Sequence, residues 1–240
     1  MRLERLQRAR HFYTTPLQPC PYLPEKLERK LFTELGDSSS GTLYNDLSRA
    51  GFRRSHQIAY APVCQDCEAC KAARIVVDEF NPSKSFRRIL RNNEALWCEE
   101  KSASATEEQF TLFADYVSER HGDGEMATMG PIDYRYLVEE TSVDSRVLEF
   151  RDTDNSLVGA CITDHLDDGL SAVYSFFDPK MARLGLGNFM VLKLIEHAKN
   201  LNLPYVYLGF WIEGSPKMSY KARFHPLEIF ENGIWLQREK

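Results

Sequence analysis

Three strand-like runs in the second half of the chain, followed by a helix and one more strand, constrain the fold more than any other feature. RVLEFRD (146–152), LVGACITDHL (157–166) and LSAVYSFF (170–177) are rich in β-branched and aromatic residues, which suit a pleated, half-buried surface. Asp, Asn and Gly cluster between them at 152–155 and 167–169, which is turn chemistry, so the runs predict an antiparallel meander. After Asp178-Pro179 the apolar period changes. Met190, Leu194, Ile195 and Ala198 line one side of a helix predicted over 187–201, and YVYLGFW at 205–211 reads as strand again. A hairpin is expected to close the chain, with strands near 227–230 and 234–238 around Asn232-Gly233.

The remainder predicts a mixed α/β (α+β) protein. Leu27, Leu31 and Leu35 repeat at four within PEKLERKLFTELG, with Pro24 in the first turn and Gly36 as a stop, and predict a helix over 24–36. A Ser-rich loop at 37–41, a short helix over 43–50, extended chain from 52 to 63 and a strand over 74–80 follow. Helices are predicted over 83–96, 106–121 and 132–140, the second with Thr106 as its cap and Gln109 closing a capping box. With 240 residues, 43% hydrophobic and 27% charged, the chain is no mostly disordered polymer. No apolar run approaches the roughly 20 residues of a membrane span. MRLERLQRARHFYTTP lacks the apolar core of a secretory signal, and a cytoplasmic protein without membrane contact is expected.

Charge divides the chain. Residues 1–101 carry 17 Lys and Arg against 13 Asp and Glu, whereas 102–240 carry 13 against 22. The expected organisation is therefore a small N-terminal module, 1–101, before a larger domain, 102–240. Between Phe80 and Asn93 there is no acid, and Lys84, Arg87, Arg88 and Arg91 fall at three- and four-residue steps along one predicted helix face. Such a face is a solvated surface or a phosphate-binding one.

Cysteines concentrate in the first part. Cys64, Cys67 and Cys70 stand at strict three-residue spacing and Cys20 lies upstream in PCPYLP. In a reducing compartment this spacing points to metal ligation or redox chemistry rather than to a disulfide framework. Soft thiolates select zinc or an iron–sulfur cluster, either of which usually takes four ligands. Cys20 is the expected fourth ligand, with His56 as the substitute. Cys98 and Cys161 read as core residues. His121, His165, His197 and His225 show no partner spacing and receive no role.

A meander, a Gly-led helix and a further strand form the order of the GNAT-type acyltransferase fold. There a helix N-terminus receives a phosphate-bearing acyl carrier, the place held here by Arg183-Leu184-Gly185-Leu186-Gly187. The acetyl-CoA signature has Arg or Gln three residues before its first Gly, where this chain has Ala182. More specifically, PCPYLP (19–24), GFRRSHQIAYAPVCQDCEAC (51–70), FNPSKSFRRILRNN (80–93), SFFDPKMARLGLG (175–187) and YLGFWIEGSPKMSYKARFHP (207–226) resemble, in order, the motifs of the aminoacyl-tRNA–protein transferases. The bacterial leucyl type is the most similar.

The resemblance implies a GNAT-like domain behind a cysteine-bearing module. It implies that leucine moves from leucyl-tRNA to the α-amino group of proteins beginning with Asp or Glu, making an N-degron. Related arginyl enzymes hold an iron–sulfur cluster, and Cys20, Cys64, Cys67 and Cys70 occupy the corresponding motifs. An arginyl-tRNA donor, an acyl-CoA-dependent N-acetyltransferase and a binding module without catalysis are the alternatives. Aminolysis of an activated ester needs no cofactor and no protein nucleophile, only position, a proton acceptor and donors for the developing oxyanion. An acidic acceptor calls for a forked cation. Arg53 and Arg54 are expected to meet a carboxylate and a phosphate between them, with Lys217, Tyr220, Lys221 and Arg223 as a second set on a loop. Asp178 is expected to orient the amine or take its proton, Tyr220 to assist, and Glu213 is a weaker candidate. Lys84, Arg87, Arg88 and Arg91 are expected on tRNA phosphates. Phe176, Phe177, Phe210 and Trp211 would line a leucine pocket or pack in the core.

Overall fold

Chain pairing organises the first hundred residues more than helix propensity does. The computed structural model describes residues 10–36, 39–121 and 125–238. Residues 1–9, read for a leader, and 37–38 of the expected loop lie outside them. In order come β1 (Tyr13–Thr14), β2 (Gln18–Pro19), β3 (Leu27–Glu28), β4 (Lys30–Glu34), α1 (Ser40–Arg49), β5 (Arg53–Ser55), β6 (Ile58–Pro62), β7 (Lys71–Val76), α2 (Lys84–Asn92) and β8 (Trp97–Ser102). The helix expected over 24–36 is therefore strand. β4 pairs antiparallel with β6 from Lys30↔Pro62 to Glu34↔Ile58, and also with β1. Leucines at steps of four satisfy a strand's alternation as well as a helix's stripe, because four is a multiple of two. Leu35 is fully buried while Leu27 is 54% exposed, so no continuous helical face exists to bury.

Two further expectations move. The strand expected over 74–80 runs from Lys71 to Val76, and the helix expected over 83–96 stops at Asn92. There Asn93 bonds the carbonyls of Ile89 and Leu184 through its side chain (2.8 and 2.9 Å). WCEEKS then forms β8, an edge strand exposed along its length, so Cys98 is not the core residue expected, whereas Cys161 is.

The second half follows its pattern closely: α3 (Glu107–His121), α4 (Pro131–Glu139), β9 (Ser145–Arg151), β10 (Leu157–Leu166), β11 (Gly169–Phe177), α5 (Leu186–Asn200), β12 (Tyr205–Trp211), β13 (Leu227–Glu231) and β14 (Ile234–Gln237). Thr106 and Gln109 exchange the two capping-box hydrogen bonds, each 3.2 Å. Asn232 and Gly233 both have positive φ (53° and 83°), as a tight hairpin turn between right-twisted strands requires.

Eight strands form one sheet in the order β14-β13-β7-β12-β11-β10-β9-β8. β7 lies before residue 102 and β8 ends at it, so the eight-stranded sheet draws strands from both sides of the expected division at 101. One face of the sheet buries α5 through Leu186, Phe189, Met190 and Leu194. The other buries α3 and α4 through Phe113, Tyr134 and Val138 around Phe176. A third core joins Leu35, Tyr44 and Leu47 to Leu166 and Tyr207, fixing the N-terminal strands to the sheet. The antiparallel β9–β11, the crossing α5 and the parallel β12 make this the expected GNAT-type arrangement. No helix among the described residues is long and apolar enough to cross a membrane.

Candidate active site where two strands part

β11 and β12 pair in parallel only over Gly169↔Tyr205, Leu170↔Val206 and Ser171↔Tyr207. On its other edge β12 stays paired with β7 from Tyr205 to Trp211, with a register shift between Tyr207 and Gly209. Its far half thus separates from β11 and leaves β11 carbonyls facing a notch.

Arg53, reaching in from β5, fills the head of that notch. Its Nη2 donates to the carbonyls of Ala172 (2.9 Å) and Val173 (3.2 Å), the first β11 residues past the last strand pair. Its guanidinium lies against the backbone of Gly209, where a Cβ would fall 1.6 Å from Nη1. Gly209 has φ +75°, the region glycine enters freely. Nη2 makes all of the guanidinium's hydrogen bonds among the described residues, so Nε and Nη1 keep donors for a ligand.

Lys221 lies beside Arg53. It is 5% exposed, and its Nζ donates to the Phe210 carbonyl at 2.5 Å. Burial, then the nearby Arg53 charge, holds its ammonium well below the ordinary lysine range. A charged amine loses solvation there and gains a like-charged neighbour. Tyr220 is 36% exposed, yet desolvation of its phenol pushes it up to about 12 against the opposing pull of Arg53. Burial also raises the Tyr22 phenol, with Tyr60 and Cys70 adding and Arg53 opposing. Tyr22 is therefore within electrostatic reach of both Arg53 and Cys70.

Other expected residues separate from this cluster. Arg54 points to the opposite side of β5, as its neighbour must in a strand. Nε and Nη2 make two 2.7 Å bonds to Asp164, and neither side chain is exposed. Arg54 is consequently a structural cation and reaches neither carboxylate nor phosphate of a substrate. Asp178 accepts the Lys180 amide (2.9 Å) through Oδ1 as the cap of a short 3-10 turn, Pro179–Leu184. Lys217 and Glu213 are exposed on the loop after β12. Phe176 is core, and Phe210 packs edge-on against Tyr60 with centroids 5.9 Å apart.

Arg223 leaves the loop set to join α2. Its Nη2 donates to Ser85 Oγ (3.3 Å), and it shares a cavity of about 780 Å³ with Arg87, Arg238, His225 and Glu79. Lys84, Arg87, Arg88 and Arg91 are all exposed, because α2 buries only Phe86 of its own residues. The basic face is thus real and continuous with Arg223.

Cys20, Cys64, Cys67 and Cys70 are half-buried free thiols around one cavity of about 410 Å³. Burial pushes Cys70 up to about 12, and the other three cysteines add to that. This mutual repulsion among thiolates is what a cation would relieve, so the donor set fits a metal that takes soft ligands. The sulfurs are not among the sets of three ligand atoms that lie within 4.8 Å of one another in the described residues. His56, the substitute ligand, lies elsewhere, beside Asp133, Tyr136 and Glu140.

The residues missed in the sequence are Gly209 and the buried state of Lys221. A glycine inside the strand run YVYLGFW carries a signal, since glycine in a strand marks a bulge or a close backbone approach.

Comparison with known proteins finds two family matches. Residues 18–88 match the family described as "Arginine-tRNA-protein transferase, N terminus", and residues 108–231 the one described as "Arginine-tRNA-protein transferase, C terminus". The aspartate/glutamate leucyltransferase of Granulibacter bethesdensis is 51% identical over 230 residues, covering 96% of this chain and 86% of its own. That of Paramagnetospirillum magneticum is 52% identical over 230 residues, covering 96% and 94%. That of Rhodospirillum rubrum is 49% identical over 232 residues, covering 96% and 94%. Among solved structures, a C-terminal domain assigned to a lysylphosphatidylglycerol synthetase from Agrobacterium fabrum aligns with a TM-score of 0.51 at 14% identity. It covers 80% of this chain and 66% of its own, a likeness of fold alone.

Proposed function

The chain belongs to the arginine-tRNA-protein transferase family, and from that membership we propose that it moves leucine from leucyl-tRNA to the α-amino group of proteins beginning with Asp or Glu. The observation that carries the reading is identity of 49–52% to aspartate/glutamate leucyltransferases over nearly the whole length. An arginyl donor is disfavoured by those names. An acyl-CoA donor is disfavoured by Arg53, which already holds the β11 carbonyls that an extended carrier arm would pair with. The product would carry an N-terminal leucine and serve as an N-degron, and the reaction would take place in the cytoplasm, where charged tRNA is made. Purified protein given labelled leucyl-tRNA should label peptides starting with Asp or Glu and not those starting with Arg or Ala. Labelling from arginyl-tRNA instead would keep the family and replace the donor.

In this reading the notch does the chemistry. Nη1 of Arg53 would hold the acidic side chain of the acceptor by a charge-assisted hydrogen bond, with Nε as a separate donor on another edge of the guanidinium, and this sets the amine against the ester carbonyl. The amide forms as the bond from the carbonyl to the tRNA ribose oxygen breaks. The amine must lose a proton, and Lys221, held toward its neutral form, is placed to accept it. As pH rises through the lowered lysine ionisation, transfer should rise to a plateau. Lys221→Arg, which stays charged at every pH, should lose transfer about 10²–10⁴-fold, the usual worth of general-base catalysis. Lys221→Gln should keep only the pH dependence of the acceptor amine. A Lys221→Gln profile identical to the parent would remove Lys221 from this role.

tRNA would lie along α2, its phosphates against Lys84, Arg87, Arg88 and Arg91 and against Arg223 at the helix start. Replacing the four α2 cations by Gln should raise KM for leucyl-tRNA and flatten the log–log salt dependence by about 3, roughly 0.7–0.9 per lost phosphate contact. KM for the peptide should stay unchanged.

Cys20, Cys64, Cys67 and Cys70 would hold zinc or an iron–sulfur cluster, supplying charge and rigidity rather than a reaction step. With soft thiolates the ion would fix the loop between Cys64 and Cys70 to the segment around Cys20. Metal analysis of anaerobically purified protein should find metal that Cys64→Ser loses, with a lowered melting temperature.

A further inference from the structure

Glu100, His165 and His197 come from three separate elements, β8, β10 and α5, and meet at one point on the face of the sheet opposite α3. His197 Nε2 lies 2.7 Å from Glu100 Oε2 and His165 Nε2 lies 3.0 Å from the same oxygen. The three atoms all lie within 4.8 Å of one another, the one such ligand set among the described residues. The imidazoles meet at a 68° interplanar angle with centroids 6.1 Å apart, so neither stacks on the other and both aim their nitrogens inward.

We propose that Glu100, His165 and His197 form a second metal site, distinct from the cysteines, that binds a divalent transition ion of the zinc class and clamps the edge strand β8 to α5. Two imidazoles and one carboxylate are a borderline nitrogen–oxygen set, which suits Zn²⁺, Ni²⁺ or Cu²⁺ rather than Mg²⁺ or Ca²⁺. An ion at about 2.0–2.2 Å from each ligand separates tetrahedral neighbours by about 3.4 Å. The observed 2.7 and 3.0 Å edges need to open only by tenths of an ångström. The three side chains are 21–28% exposed, which leaves water to fill the fourth position. The location supplies the use. β8 is an outer strand whose six residues are all exposed, and a tie from its middle to α5 blunts an edge otherwise open to fraying.

Cobalt is the probe, because it reports its ligands. Full-length protein titrated anaerobically with Co²⁺ should bind one equivalent whose visible bands lack thiolate-to-cobalt charge transfer. The His165→Gln/His197→Gln double variant should lose that equivalent and keep the charge-transfer bands that arise from the cysteines. Cys64→Ser/Cys67→Ser should show the reverse. Zn²⁺ should raise the melting temperature of the cysteine variant, and His197→Gln on that background should abolish the rise without lowering the metal-free melting temperature by more than about 2–4 °C, the shift that one surface contact is worth in a domain of this size. Equal cobalt stoichiometry and spectra in parent and histidine variant would overturn the proposal, leaving a carboxylate shared by two imidazoles.

Discussion

Gly209→Ala is expected to cut leucyl transfer by about 10²–10³-fold, the loss that follows removal of one preorganised donor from an active site. Two effects act at the same atom. The backbone at φ +75° is one that L residues adopt at a cost of about 1–3 kcal/mol. The new methyl would also stand 1.6 Å from Nη1 of Arg53, closer than any non-bonded contact, so the guanidinium must leave. Once displaced, it cannot both bridge the Ala172 and Val173 carbonyls and present Nε and Nη1 to an acceptor. Arg53→Lys, whose single ammonium cannot bridge the two carbonyls and also present a second nitrogen, should give a loss of the same size. Because the two substitutions remove one device, the double variant should be no worse than either single variant. Independent devices would multiply their losses. The measurement is kcat/KM for an Asp-initiated peptide at saturating leucyl-tRNA, with a thermal melt to confirm that each variant is folded. Multiplying losses would mean that Gly209 and Arg53 act separately and that the notch is misread.

The parts of the fold set by local chemistry were readable in the residues. Thr106 and Gln109 fix the start of α3 through neighbours three positions apart, and Asn232-Gly233 can take the positive φ values its turn demands. The parts set by distant partners were not. KLFTE over 30–34 joins a sheet because β6 and β1 flank it, and no helix-or-strand preference within the segment reveals that. WCEEKS has no apolar alternation because all six residues of β8 are exposed, so neither face is covered as a core face would be. The active-site reading divides in the same way. A pair such as Arg53-Arg54 must place its side chains on opposite faces once it is strand, so both could not meet the substrate; which one turns inward depends on Asp164, 110 positions away. Lys221 in PKMSYKARF reads as one cation of a binding loop, and its burial is not legible there, because only the tertiary structure brings Phe210 and Arg53 over it. Glu100, His165 and His197 have no local spacing at all, as their meeting point is made by a strand edge and a helix that cross.

Arg54→Ala should lower stability by about 3–5 kcal/mol, the cost of removing one partner from a buried ion pair. Neither side chain of the Arg54–Asp164 pair is exposed, and both bonds measure 2.7 Å. Arg54 also donates to the His56 carbonyl (2.8 Å), and Asp164 accepts from Ser145 Oγ (2.6 Å). Truncation leaves the Asp164 carboxylate buried with the Ser145 hydroxyl in place of a guanidinium. Loss of Arg53, whose guanidinium still offers donors to a ligand, should be the milder change for stability and the severe one for catalysis. Denaturant unfolding should therefore show a lower midpoint at an unchanged slope for Arg54→Ala. At a temperature where that variant is folded, transfer should retain its preference for acidic N-termini. The reason for attributing the loss to an orphaned charge rather than to the pair's intrinsic worth is also testable. Arg54→Met combined with Asp164→Leu removes both charges, and should recover most of the stability that Arg54→Met alone forfeits. If the double variant is instead as unstable as the sum of its parts, the pair holds the N-terminal strands to β10 by its own attraction. If Arg54→Ala unfolds at the parental midpoint and loses its acidic preference, the roles of the two adjacent arginines are exchanged.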